Sequence, residues 1–390
     1  MMNKKNLQQI FANYIDRFAE LNDAAHDETF KWWAAAEFRK RMDEALQAPE
    51  EEFTQALDRI KGHRKEDKVV ETILESSMQP FTGLIELSKK EPAHIQKMLR
   101  ELLADDGNDL DKREEKIAAF FAECKPLEKQ YFPKNFRYEQ TANSVSGYLF
   151  LYDPDHHYMY KAKQAKLFAD CMDFYGDWGS GDQIKLKEYY KMCDELVAEI
   201  KECSALLATD QSRFHENFKY SKDDLHQDTQ KHILAYDIIY CSTVYNLFEG
   251  ITFKPITAKE KTLYEERLKK ATELQESYVQ AEERYRRLEE AIQHYMEVLV
   301  PGTPVQSRML GEGKVLESGT DRIVVRFASN DEPKNFDFFF AIADQHLKFE
   351  DALDEAKAKE YRMFLKHHTA IYEAMPKIQK VLEEYQDILE

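Results

Sequence analysis

The sequence predicts a mainly α-helical protein: a multi-helix body, then an antiparallel coiled-coil stem carrying a small β-barrel insertion. Three observations lead there. Glycine and proline are sparse (12 and 11 in 390 residues) while 33% of residues are charged, a balance that favours long amphipathic helices over a sheet-based core. Two runs near the C-terminus space their apolar residues alternately four and three apart. Between them lies a cassette, Val300 to Lys348, of short β-branched and aromatic segments punctuated by turn residues.

In chain order, residues 1–130 read as a first helical domain and 131–254 as a second helical region. Asn6 to Leu46 is helical in pattern, with one stripe at Ile10, Tyr14, Phe18 and Leu21 and another at Phe30, Trp33, Phe38 and Met42. Phe53–Ile60, Val69–Leu87, Ala93–Leu103 and Leu110–Cys124 continue as short helices, started or ended by Pro80, Pro92, Gly107 and Pro126. From Tyr131 the composition suggests an irregular connection. Helices are expected again over Lys163–Tyr175, Ile184–Leu207 and Leu225–Phe248, with a turn at Gly176–Gly181.

The stem is expected from residues 255–299 and 350–390. Its first seam is Leu274, Tyr278, Ala281, Tyr285, Leu288, Ile292, Tyr295 and Leu299; the second is Phe364, His368, Ile371, Met375, Ile378, Leu382, Tyr385 and Leu389. Neither run can bury its stripe alone, so the two should pair. Pro376 should kink or break the second at a cost of roughly 3 kcal/mol. Residues 300–349 form the barrel, with strands at Thr303–Met309, Gly313–Glu317, Arg322–Ala328 and Asn335–Phe340.

The run Leu310-Gly311-Glu312-Gly313-Lys314-Val315, then Arg322 to Phe327, then Lys334-Asn335-Phe336, resembles the signature of bacterial SH3- or Tudor-like β-barrels. That resemblance implies an SH3-like fold, and such barrels take protein partners as readily as nucleic acid. Phe30-Lys31-Trp32 and Tyr148 to Lys161 are similar to segments in the helical N-terminal regions of McrB-like restriction proteins. The similarity implies a targeting or regulatory part of a bacterial DNA-restriction or phage-defence system. The AAA+ motor is missing, since no G-x-x-x-x-G-K-[ST] occurs.

A net charge of −18 repels a phosphate backbone at long range, so nucleic-acid binding requires a local basic patch. Five scattered cysteines without a C-x-x-C pair suit free thiols in a reducing cytoplasm. No apolar run reaches membrane length, and a membrane association is not expected.

The richest candidate site is Tyr152 to Lys166. Tyr152, Tyr158 and Tyr160 offer stacking faces; Lys161, Lys163 and Lys166 offer phosphate contacts; His156 and His157 add polar ones. Core packing of the tyrosines is the competing reading. In the barrel, the candidates are Arg322, Arg326, Lys334, Phe336 and Phe338. The cassette's charges nearly cancel, which favours a protein partner over nucleic acid. Candidate metal ligands are His226, Asp228 and His232, or His367 and His368, though none has HExxH spacing or paired cysteines, and solvated histidines on helices are the competing reading. No G-x-S-x-G elbow or glycine-rich phosphate cradle is present, so neither cofactor nor catalysis is expected. The reading is therefore a non-catalytic recognition or adaptor protein. The alternatives are an enzyme with a dispersed site near Asp153, His156 and His157, and a structural dimer formed through the stem.

Overall fold

The computed structural model describes residues 2–62, 69–70, 73–179, 181, 184–215 and 219–389. The chain is mainly helical with one small curled antiparallel sheet. It divides into two units, Met1–Thr262 and Leu263–Glu390.

The first unit is all helix and connection. It begins with α1 (Lys4–Leu21), capped where the Asn3 side chain accepts the Asn6 N–H at 3.1 Å, and its expected stripe from Ile10 to Leu21 is buried. The stripe of α2 (Phe30–Gln47) is shifted from expectation: Lys31, Trp32, Ala34, Ala35 and Phe38 are buried, while Phe30 and Trp33 are only half-buried. Then follow α3 (Glu50–Lys61), α4 (Pro80–Ser88) and α5 (Pro92–Leu102), the last two with proline in the first turn, where its missing N–H costs nothing. The helix expected from Val69 begins only at Pro80; residues 71 and 72 lie outside the described residues.

Next comes α6 (Leu110–Tyr131), capped by Asp109, and it runs straight through Pro126. The carbonyl that Pro126 leaves without a donor belongs to Ala122, which is exposed, so water replaces the lost bond. Two short helices are apolar almost all round and form the centre: α7 (Ala142–Tyr152), with a Thr141–Ser144 capping box, and α11 (His232–Val244). Around them lie α8 (Ala162–Cys171), α9 (Leu186–Glu202) and α10 (Ser204–Ser212). The single helix expected over Ile184–Leu207 breaks at Cys203. The one expected from Leu225 starts only at His232, because Asp228 and Lys231 adopt positive φ. One core runs from Met2 to Leu247, across the boundary expected near residue 130.

The second unit holds most of α12 (Ala258–Val298), then β1 (Pro304–Ser307), β2 (Gly311–Ser318), β3 (Arg322–Phe327), β4 (Lys334–Asp337), α13 (Phe338–Ala343), β5 (Leu347–Lys348), α14 (Glu355–Lys366), α15 (His368–Leu382) and α16 (Gln386–Leu389). All pairings are antiparallel, in the order β4-β3-β2-β1-β5, with a register shift between Val315 and Glu317. One face of the sheet buries Val305, Val315, Ile323, Val325 and Phe327 against α13, against Leu288, Ile292 and Tyr295 of α12, and against Leu299 just after it.

The expected fourth strand is corrected at its second half. The Asp337 side chain accepts the Phe340 N–H at 2.9 Å and starts a helix there, which resolves how three consecutive phenylalanines are accommodated. The break expected at Pro376 is also absent. The helix pauses instead at His367, and the carbonyl freed by Pro376 is that of exposed Tyr372. Arg267 pairs with Asp387 at 2.9 Å, Arg287 with Glu360 at 2.7 Å and His294 with Asp351 at 2.8 Å, so the two C-terminal runs lie alongside in opposite directions. Burial along them is uneven. Leu288 to Leu299 and Phe364 are buried, whereas Leu274, Tyr278, Met375, Ile378 and Leu382 are half-exposed.

Candidate functional site

Residues Tyr152 to Lys166 do not form one surface. Tyr152 ends α7 and donates its hydroxyl to Asp43 Oδ1 at 2.7 Å, with the Arg39 guanidinium 5.3 Å from its ring centre; burial and Asp43 push the phenol up to about 12. His156 stays at the surface, its Nδ1 2.9 Å from Asp153 Oδ2. His157 turns inward and is 7% exposed, and burial, then Arg113, hold its imidazole well below the ordinary range.

Tyr158 and Tyr160 are buried. The Tyr158 hydroxyl donates to Asp194 Oδ1 at 2.8 Å and its ring lies 4.0 Å from that of His232, while Tyr160 packs edge-on against Tyr189. Lys161 donates to the Ile73 carbonyl, and burial lowers its ammonium to about 8. Lys166 pairs with Asp170 at 2.8 Å, and Lys163 alone of the three lysines is exposed and without an ion pair among the described residues. The expected stacking platform is therefore corrected. Residues 157–160 pass through the core with both sides covered, so their alternating side chains have no solvent face. Nor do Asp153, His156 and His157 converge: two are at the surface and the third is inside.

The histidine candidates are each engaged separately. His226 Nδ1 accepts the Asp228 N–H at 3.0 Å, which leaves the proton on Nε2, 3.6 Å from Asp155 Oδ2. Both Asp228 oxygens accept backbone N–H groups at the start of α11, from Ile233 at 3.0 Å and Leu234 at 2.9 Å. Burial, then neighbouring Asp210, pushes the Asp228 carboxyl up to about 7, and burial brings His232 down to about 4. His368 stacks on Phe339 at 3.8 Å with its Nδ1 at the Leu365 carbonyl, and His367 closes α14. None of these is a metal constellation.

A buried ionic network that sequence reasoning missed joins α1, α2, α10 and α11. The Lys31 ammonium pairs with both Asp237 and Glu28 and lies 4.1 Å from the Tyr240 ring centre. Tyr14 donates to the other Asp237 oxygen at 2.5 Å and accepts from Arg213 at 2.8 Å. Arg213 also bonds Asp210 and Thr29, both at 2.9 Å, and stacks 3.7 Å over Trp32; Lys231 completes Asp210 at 3.0 Å. Three cations thus face three carboxylates. Glu28, Asp237 and Cys241 are close enough to share a metal ion, but the ammonium of Lys31 already serves both carboxylates. Burial and then Asp237 push the Cys241 thiol well up, so it stays protonated. Charge balance makes the network a clamp on four helices. The signal for it in the sequence was Asp237, a lone charge in the apolar run Ile233 to Cys241.

The second unit offers a surface instead. Arg322 lies 3.8 Å from Glu317, Lys334 and half-buried Phe336 are on edge strand β4, and Phe338 is fully buried in α13 and so withdrawn from any ligand. Arg326 is on the solvent face of β3, and register sets it directly opposite Lys314 of β2. Lys348 of β5 lies opposite Gln306 on the next strand. None of these three cations has a carboxylate partner among the described residues. With Pro304, Leu316 and Glu312 they line a shallow groove of about 830 Å³.

Comparison of the chain with known protein families, with characterised proteins and with solved structures finds no match.

Proposed function

We propose that the chain is a non-catalytic recognition protein whose small sheet binds an acidic segment of a partner protein. One observation carries this reading. Lys314 and Arg326 are cross-strand partners, and neither is ion-paired among the described residues although Glu312 lines the same groove, an arrangement that destabilises a sheet. On a chain of net charge −18, a cation pair that forms no ion pair with the available carboxylates, Glu312 included, suits an anion supplied from outside. Nucleic-acid grooves of this kind add exposed rings for base stacking. Here the ring that lines the groove, Phe327, is 2% exposed, which favours a polypeptide anion.

The four-three spacing and opposed direction of the two C-terminal runs support reading them as an antiparallel coiled-coil stem. The curled five-strand order supports an SH3-like barrel at its end. The resemblance of Phe30-Lys31-Trp32 and Tyr148 to Lys161 to McrB-like regions supports reading this adaptor as a targeting or regulatory part of a bacterial restriction or phage-defence system.

The test is fluorescence anisotropy of a labelled, Asp/Glu-rich synthetic peptide and of a single-stranded oligonucleotide, each titrated with the full chain. The peptide is expected to bind more tightly, to weaken with salt, and to lose about tenfold or more in affinity with Lys314→Glu/Arg326→Glu. Equal binding by the doubly reversed variant would remove the sheet as the site. Tighter oligonucleotide binding that the same variant abolishes would make nucleic acid the ligand.

A further inference from the structure

The second unit carries another surface, remote from the sheet's solvent face in sequence and chemistry. Between α12 and the α14–α15 pair run two contiguous grooves of about 660 and 410 Å³, sharing Gln280, Arg284, His367 and Ile371. They open where the helix pauses at His367. Ala281, Phe364 and Ile371 form the floor. Val279 and Met363 stand on the rim, 60% and 48% exposed, as apolar side chains that nothing covers.

The charges at the rim are not symmetric. Glu283 is occupied by Arg286 and Arg287, each at 2.8 Å, and Arg287 is further held by Glu360. That leaves Arg284, which lines both grooves, with no partner among the described residues. The free charge of the groove is therefore cationic.

We infer that this groove docks an amphipathic helix of a partner protein whose apolar stripe is flanked by carboxylates. Two helices bury their facing seam only in part, and a third laid into the groove covers Val279, Met363 and half-exposed Ile378 as knobs in holes. The lining runs from Ser277 to Arg287 on α12, about 15 Å at the helical rise, which fits a partner of roughly three turns. Carboxylates on its flank would meet Arg284. A second copy of this chain is a poorer occupant. A twofold interface centred on Arg284 sets that guanidinium against its own counterpart, like charge on like.

The test is selection from a displayed library of amphipathic helices about fourteen residues long, with leucine fixed on the stripe and Glu, Lys or Gln free at the flanks. Full-length chain is the bait, as wild type, Arg284→Glu, Val279→Asp and Lys314→Glu/Arg326→Glu. Wild type is expected to enrich Glu over Lys about tenfold at the flank. Arg284→Glu should invert that preference, Val279→Asp should abolish enrichment, and the sheet variant should leave it unchanged. Val279 is a solvent-facing residue, so its variant folds. No flank preference, or one that survives Arg284→Glu, overturns the inference. So does loss of selection with the sheet variant, which would assign the peptides to the sheet. Sedimentation of wild type as a dimer that Met363→Asp returns to monomer would give the groove to a second copy, and also overturns it.

Discussion

The two units handle polarity in opposite ways. Among the described residues, every buried polar or charged side chain except Ser307 belongs to Met1–Thr262. Every exposed large hydrophobic except Phe136 and Val244 belongs to Leu263–Glu390. The first unit has brought charges inside and matched them; the second has left apolar surface outside and unmatched. Buried charge is costly unless fully paired, and pairing demands one arrangement of the helices that supply it. Exposed apolar surface is stable only when something covers it or when it is dispersed. The first unit's charges hold its helices in one arrangement, and the second unit's open apolar surface is what the proposed docking rests on.

The sharpest way to break this contrast is Lys31→Met. It leaves Glu28 and Asp237 buried without their shared cation, a change that costs about 3–5 kcal/mol where a buried pair loses one member. All three tryptophans, Trp32, Trp33 and Trp178, lie in the first unit, so denaturant unfolding followed by their fluorescence reads the effect directly. A loss under about 1 kcal/mol would mean that water already reaches the network, as it does for surface pairs.

A second contrast is in pH. The N-terminus of α11 holds two groups displaced in opposite directions. The folded-state pKa of Asp228, about 7, is above its unfolded value near 3.9, so its contribution is complete below that value and is lost as pH rises through about 7. His232 is depressed to about 4 in the folded chain, so its contribution is present above about 6.5 and is lost as pH falls toward 4. Around Asp228 stand Asp210, Lys231 and the N–H groups of Ile233 and Leu234; around His232, Asp155 and Lys201. Asp228→Asn should therefore gain on wild type between about pH 4 and 7, by at most about 1.4 kcal/mol per pH unit. His232→Phe should gain between pH 6.5 and 4. Unfolding midpoints at pH 4, 5, 6.5 and 8 decide it, and parallel profiles for variant and wild type would sink the assignment. The second unit buries no carboxylate or imidazole among its described residues and has no counterpart to this behaviour.

What was legible in the sequence was whatever repeats locally. The 3.6-residue stripe of α1, the four-three rhythm of the C-terminal runs and the first three strands all emerged from spacing alone. What was hidden was contact at distance. Lys31 and Asp237 are 206 positions apart, and no local pattern announces that they meet. Tyr158 and Tyr160 looked like a surface platform because tyrosine suits both rim and core, and only the packing of α7, α9 and α11 chooses. Pro126 and Pro376 misled because a proline ends a helix only where the freed carbonyl is dry, and exposure is a tertiary fact. Asp337 was read as a strand residue although Asp three positions before a free N–H is a capping signal. The Lys314–Arg326 opposition needed register, which the bulge near Val315 had obscured.

The smallest expected effect sharpens the contrast from the other side. Arg287 bonds Glu283 at 2.8 Å and reaches Glu360 across to α14 at 2.7 Å, with geometry as good as any pair in the first unit. Yet its side chain is 44% exposed, so water screens the attraction and ordering a long side chain opposes it. Arg287→Ala should leave the unfolding midpoint, followed by far-ultraviolet circular dichroism, where it was. A double-mutant cycle with Glu360→Ala should give a coupling that vanishes in high salt. A coupling that survives salt would mean that this stretch of the two helices is already dry. The groove beside it would then be closed in solution, with no room for a third helix.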